Sequence, residues 1–77
     1  MEKTIRLYGM ESVRCFVTTV SGFSEHMELR SGDIAVNPKS IMGLLSLDLN
    51  KAMTLHFEAG KKRRREICNA IADYLAD

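Results

Sequence analysis

Tryptophan is absent from this chain of 77 residues, proline occurs once, and only two cysteines are present, Cys15 and Cys68. Two isolated cysteines cannot build the disulfide framework of a small secreted domain, and neither stands in a CxxC or Cys/His pair with metal-ligand spacing. A reducing compartment is therefore expected. No stretch approaches the roughly 18 apolar residues of a membrane span, and the opening MEKTIRLYGM lacks the apolar run and small-residue cleavage site of a signal peptide. These features predict a cytoplasmic protein that does not cross a membrane. The formal net charge is only +1, so no overall field steers the chain toward nucleic acid or an anionic membrane, and such binding would need a local patch. Linkers, repeats and low-complexity segments are missing as well.

What is present suits a packed fold. Hydrophobic residues make up 45% and charged residues 27%, far from the composition that keeps chains disordered. A chain this short buries only roughly 60% of its unfolded surface and cannot support two cores, so residues 1–77 are expected to form a single domain.

The periodicity gives an order of elements. Thr4–Tyr8 alternates with Ile5 and Leu7 on one side, a half-buried strand ended by Gly9. From Glu11 the period becomes helical through Val13, Phe16, Val17 and Val20, with Glu11 and Ser12 placed to favour a helix start and Gly22 to close it. His26–Arg30 alternates with Met27 and Leu29 inward, Ser31-Gly32 turns the chain, and Ile34 and Val36 face the same way on the return, which predicts a hairpin. Asn37-Pro38 punctuates that strand. Ser40 stands before Ile41, Met42, Leu44, Leu45 and Leu47 and is placed to cap a short apolar helix, in which Gly43 argues against great length. Met53, Leu55 and Phe57 alternate as a fourth strand, and Ala59-Gly60 leads into a helix with Ile67, Ile71, Tyr74 and Leu75 on one face. The expected architecture is α+β, order β-α-β-β-α-β-α, with an antiparallel sheet covered on one face by helices.

The residues offer no catalytic constellation, so an enzymatic role ranks last. His26 and His56 fall on the polar side of their strands, and no carboxylate, serine or cysteine stands near either in a local triad or metal pattern. Cys15 and Cys68 border apolar helix stripes and read as small buried hydrophobes, with neighbouring Arg14 and Arg65 only hinting at a lowered thiol pKa. The run Lys61-Lys62-Arg63-Arg64-Arg65 places five positive charges at a helix start, where they oppose the helix dipole. It reads first as a solvated helix start offset by Glu58 and Glu66, and second as an anion patch for an acidic or phosphorylated partner; without interleaved aromatics nucleic acid is the less favoured target.

One segment goes further. NPKSIMGLLSLDL, residues 37 to 49, closely resembles the regulatory-serine segment of the HPr family, the small phosphocarriers of the bacterial sugar phosphotransferase system. KSIMG followed by apolar, apolar, Ser, Leu is a run of nine positions, TVSGF at 19 to 23 is similar to the end of the family's first helix, and the element order is the family's own. The resemblance implies an HPr-like open-faced β-sandwich. It also implies that Ser40 corresponds to the serine that a dedicated kinase phosphorylates, and Ile41, Met42 and Leu45 to an apolar patch that partners touch. By spacing alone Ser40 reads as a plain helix cap and those three residues as plain core.

The family's phosphoryl-bearing histidine lies just before the first long helix, in a Gly-Ile-His-Ala-Arg-Pro motif. This chain reads Gly9-Met10-Glu11-Ser12-Val13-Arg14 there, so Gly9 or Glu11, depending on the alignment, faces the missing phosphohistidine. A carboxylate at Glu11 would also repel an anion. The resemblance thus implies a histidine-lacking HPr-like paralogue of the Crh type, with no cofactor, an HPr serine kinase and a transcriptional regulator or phosphotransferase-system protein as partners, and a monomeric or weakly dimeric state. The alternative is a small anion- or nucleic-acid-binding module working through residues 61–65, or a degenerate HPr homologue with an unrelated partner.

Overall fold

The computed structural model describes residues 1–76. Its strands are β1 (Glu2–Ile5), β2 (Met27–Ser31), β3 (Ile34–Val36) and β4 (Met53–Phe57), and its helices are α1 (Gly9–Ser21), α2 (Ile41–Leu44) and α3 (Lys61–Ala70), followed by a 3-10 turn at Ala72–Tyr74. The four strands form one sheet in the order β1-β4-β2-β3, with every neighbouring pair antiparallel. Because β4 inserts between β1 and β2, those two run parallel to each other, and α1 is the crossover joining them.

The alternation fixes which face is dry. Ile5 pairs with Met53, Leu29 with Leu55 and Met27 with Phe57, and all six side chains are buried. Val13, Phe16 and Val20 from α1, Leu44 from α2 and Ile67 from α3 close over them, with Leu47 and Ile71 just beyond the latter two helices. The Tyr74 ring meets Phe16 edge-on, centroids 5.3 Å apart at 82°, a favoured aromatic arrangement. On the other face Glu2, Thr4, Glu28, Arg30, Thr54 and His56 look away from the helices.

Three boundaries and one burial differ from the sequence expectation. β1 runs over Glu2–Ile5 rather than Thr4–Tyr8, because Met53, the partner of Ile5, is the first residue of β4 and that strand offers no partner beyond it. Leu7 stays buried, as its alternation with Ile5 required. α1 begins at Gly9, two residues before Glu11, and Gly9 takes φ 81°, a left-handed conformation that lets the chain turn from strand to helix within three residues. Ile34 shares the sheet face of Leu29 but is half exposed, since β3 is the sheet edge and lies past the helical cover. Tyr74 and Leu75 are not part of the last helix: α3 stops at Ala70, and Leu75 is extended and bridges Ile5.

Phe16 has no solvent exposure and joins helix to sheet. Phe16→Ala is expected to cost about 3–5 kcal/mol, a large share of a small domain's stability, while exposed Thr18→Ala on the same helix should shift it by no more than about 0.5 kcal/mol. Urea unfolding monitored by circular dichroism checks the contrast.

Candidate functional site

α2 is a single helical turn, and its start is set by Ser40. The Ser40 backbone is extended and its Oγ accepts a hydrogen bond from the Gly43 N–H at 3.3 Å, so Ser40 is the N-cap the sequence predicts. At the other end the Ser46 hydroxyl donates to the Gly43 carbonyl at 2.6 Å, and the turn goes no further. With only one turn, α2 cannot bury all its apolar residues: Leu44 and Leu47 enter the core, while Ile41 is 37%, Leu45 45% and Met42 79% exposed. These three side chains are surface, not core.

α1 packs beside α2. Tyr8 is the N-cap and offers no capping side chain; it is 71% exposed, and Met10 beside it is half exposed. An open cleft of about 400 Å³ lies here, bounded by the Arg6–Met10 connection and by Leu49 and Asn50. The Arg6 guanidinium stands over the Tyr8 ring at 5.5 Å and Nη2 donates to the Asn50 carbonyl at 3.4 Å. Glu11 is exposed in the first turn. Gly9 and Glu11 are exposed at the head of α1, and Ile41, Met42 and Leu45 are exposed on α2, with Ser40 half-buried beside them in sequence.

The basic run is divided by the fold. The Arg63 Nε donates to Glu25 Oε2 at 2.7 Å, its Nη1 donates to Glu66 at 3.0 Å, and its guanidinium covers Phe23 at 5.0 Å. Arg63 is thus a clamp on the loop after α1 and not part of a free anion patch; Lys61, Lys62 and Arg65 remain exposed and Arg64 is half-buried. Glu66 offsets the run as expected, but Glu58 lies instead 3.6 Å from His56. Lys39, which sequence reasoning passed over, holds the same loop, its Nζ donating to the carbonyls of Phe23 at 2.5 Å and Glu25 at 2.8 Å. No local pattern marks Lys39 or the Glu25–Arg63 pair, because their partners are remote in sequence.

The remaining candidates stay apart. His26 precedes β2, and His56 sits on the open sheet face between Glu2 and Glu58, 3.6 Å from each. Cys15 is exposed on α1, contrary to the buried reading, because its helical position lies off the stripe that Val13, Phe16 and Val20 define; Cys68 is half-buried against the core. Among the described residues no group of three or more His, Cys, Asp or Glu side chains could hold a metal ion, and no helix is long and apolar enough to cross a membrane.

A family model described as the phosphotransferase-system HPr component phosphorylation site matches residues 13–77. The chain belongs to the HPr family. Members of this family are phosphocarriers of the phosphotransferase system, not enzymes. Solved HPr structures agree in fold: an HPr-C-His protein of Thermoanaerobacter tengcongensis is 29% identical with a TM-score of 0.76, covering 95% of this chain and 88% of its own. The phosphocarrier HPr of Bacillus anthracis is 22% identical with a TM-score of 0.74, over 99% and 96%. Crh, the catabolite-repression protein of Bacillus subtilis, seen as a dimer with a swapping domain, is 21% identical with a TM-score of 0.64, over 95% and 88%. No curated protein matches the sequence. The four-stranded open-faced sandwich with helices on one face is thus the HPr fold, as the resemblance implied.

Two expectations follow from these contacts. Ser40→Ala removes the α2 cap and should lower stability by about 1 kcal/mol, measured by urea unfolding, against no more than about 0.5 kcal/mol for exposed Ser24→Ala. The hydrogen bond from Arg63 holds the Glu25 carboxyl below its ordinary value of 4.5, and Arg30 does the same for Glu28. Folded values lowered in this way contribute stability that is complete above pH 4.5 and is lost as the pH falls through them. The urea midpoint should therefore fall on acidification below pH 4.5, and Glu25→Gln should start lower and fall less steeply.

Proposed function

We propose that this chain is a regulatory member of the HPr family that takes a phosphoryl group on Ser40, not on a histidine, and engages partners through Ile41, Met42 and Leu45. The observation that carries the reading is the exposed apolar face of α2 rising directly from its N-cap serine. An apolar patch held at the surface of a small domain, rimmed by polar residues, is what a protein interface requires. A phosphate on Ser40 would change the charge beside that patch by about −1.5 to −2 while its oxygens face the first amides of α2, so modification can alter docking without unfolding the turn.

The head of α1 supports the other half of the proposal. The residues before and at its first turn are Tyr8, Gly9, Met10 and Glu11, and the only histidines of the chain are His26 and His56 on other elements. Gly9 holds φ 81°, a conformation L side chains rarely adopt, so an imidazole at that position would be strained. The exposed carboxylate of Glu11 further disfavours an anion there. Partners on this reading are an HPr serine kinase and a transcriptional regulator or phosphotransferase-system protein of carbon catabolite control, in the cytoplasm. The basic run does not support nucleic acid as a partner, since Arg63 is committed to Glu25 and Glu66.

Intact mass decides between serine and histidine chemistry. With ATP and an HPr serine kinase the chain should gain one phosphoryl group, lost in Ser40→Ala. With phosphoenolpyruvate and the general phosphotransferase it should gain none. A gain in the second reaction alone would reverse the proposal.

A further inference from the structure

The start of α3 carries its charge against the stability of the helix. Gly60 is the N-cap and offers no capping side chain, and no acid stands in the first turn, while Lys61, Lys62, Arg64 and Arg65 add positive charge at the positive end of the helix dipole. The compensation that the sequence suggested is committed elsewhere. Glu58 stands 3.7 Å from the Met1 ammonium and 3.6 Å from His56, and Glu66, four residues after Lys62, bonds Arg63 instead. Among the described residues Lys61, Lys62, Arg64 and Arg65 have no ion-pair partner.

The fold gathers three of these cations on one face. At about 100° per residue, Lys61, Arg65 and Lys62 fall within a single arc opposite the buried Ile67, and all three are exposed. Burial of Ile67 and the Arg63 bonds to Glu25 and Glu66 hold the helix from its other side. We propose that the Lys61, Lys62 and Arg65 face is a second docking surface, which takes an acidic segment of a partner protein. Charge and spacing select that occupant. Lys61 and Arg65 stand roughly 6 Å apart along the helix axis, close to the roughly 6.7 Å between side chains that share one face of an extended strand. Alternate carboxylates of an extended acidic peptide therefore match the row, and Lys62 widens it. A bilayer matches it less well, because none of the exposed large apolar side chains belongs to α3 and nothing there inserts. Nucleic acid finds no aromatic side chain on α3 to stack against.

A blocked peptide of alternating glutamate and serine tests the face, titrated into the isotopically labelled chain and followed by nuclear magnetic resonance. Amide shifts should saturate and centre on Lys61, Lys62 and Arg65, added salt should weaken the binding, and the matching glutamine and serine peptide should not bind. Lys61→Ser, Lys62→Ser and Arg65→Ser combined should lower the affinity about tenfold, the loss of three exposed ion pairs. The same variant should not lower the urea midpoint, because the charges it removes oppose the helix dipole. Arg14→Ser and Lys51→Ser, at exposed cations outside α3, should leave binding unchanged. Unchanged affinity in the combined variant, an equal loss in either control, or a lowered urea midpoint would each overturn the proposal. Tighter binding to a charge-matched oligothymidylate or to phosphatidylserine vesicles than to the peptide would overturn it as well. None of these readouts depends on modification of Ser40.

Discussion

Everything in this fold hangs on β4 being bonded on both of its edges. Met53, Leu55 and Phe57 are buried one after another on its helix-covered face, while its backbone pairs with β1 along one edge and with β2 along the other. A central strand in this position forces the β1-α1-β2 crossover to span it, which lays α1 across the sheet, where it packs beside α2.

The pattern of apolar residues made most of this legible. Period-two alternation identified the inward residues of β2 and β4 correctly, and helical spacing picked out Val13, Phe16 and Val20. The misplaced ends of β1 and of the last helix share one physical cause: where an element ends is decided by its partner. β1 ends where β4 begins, and the last helix ends where the β1 edge offers hydrogen bonds to Tyr74 and Ala76, although Tyr74 and Leu75 keep helical spacing with Ile67 and Ile71. Neither partner is visible in a local window.

The proposed docking surface was legible for a different reason. KSIMG and the residues after it identified the family segment, but spacing could not say whether Ile41, Met42 and Leu45 were core or surface. The length of α2 settles that point. One turn presents its residues over the whole circumference, so Leu44 is buried and its neighbours on the turn are exposed. The basic run shows the opposite limit: five like charges in sequence are not five equivalent charges in space, because Glu25, remote along the chain, claims Arg63 for the loop that Lys39 also holds.

The account stands on the α2 face being where partners dock, and the most direct measurement is a nuclear magnetic resonance titration of the isotopically labelled chain with an HPr serine kinase. Shifts and line broadening should concentrate on Ser40, Ile41, Met42 and Leu45. Perturbations centred on residues 61–65 or on the open sheet face, with α2 unmoved, would contradict it.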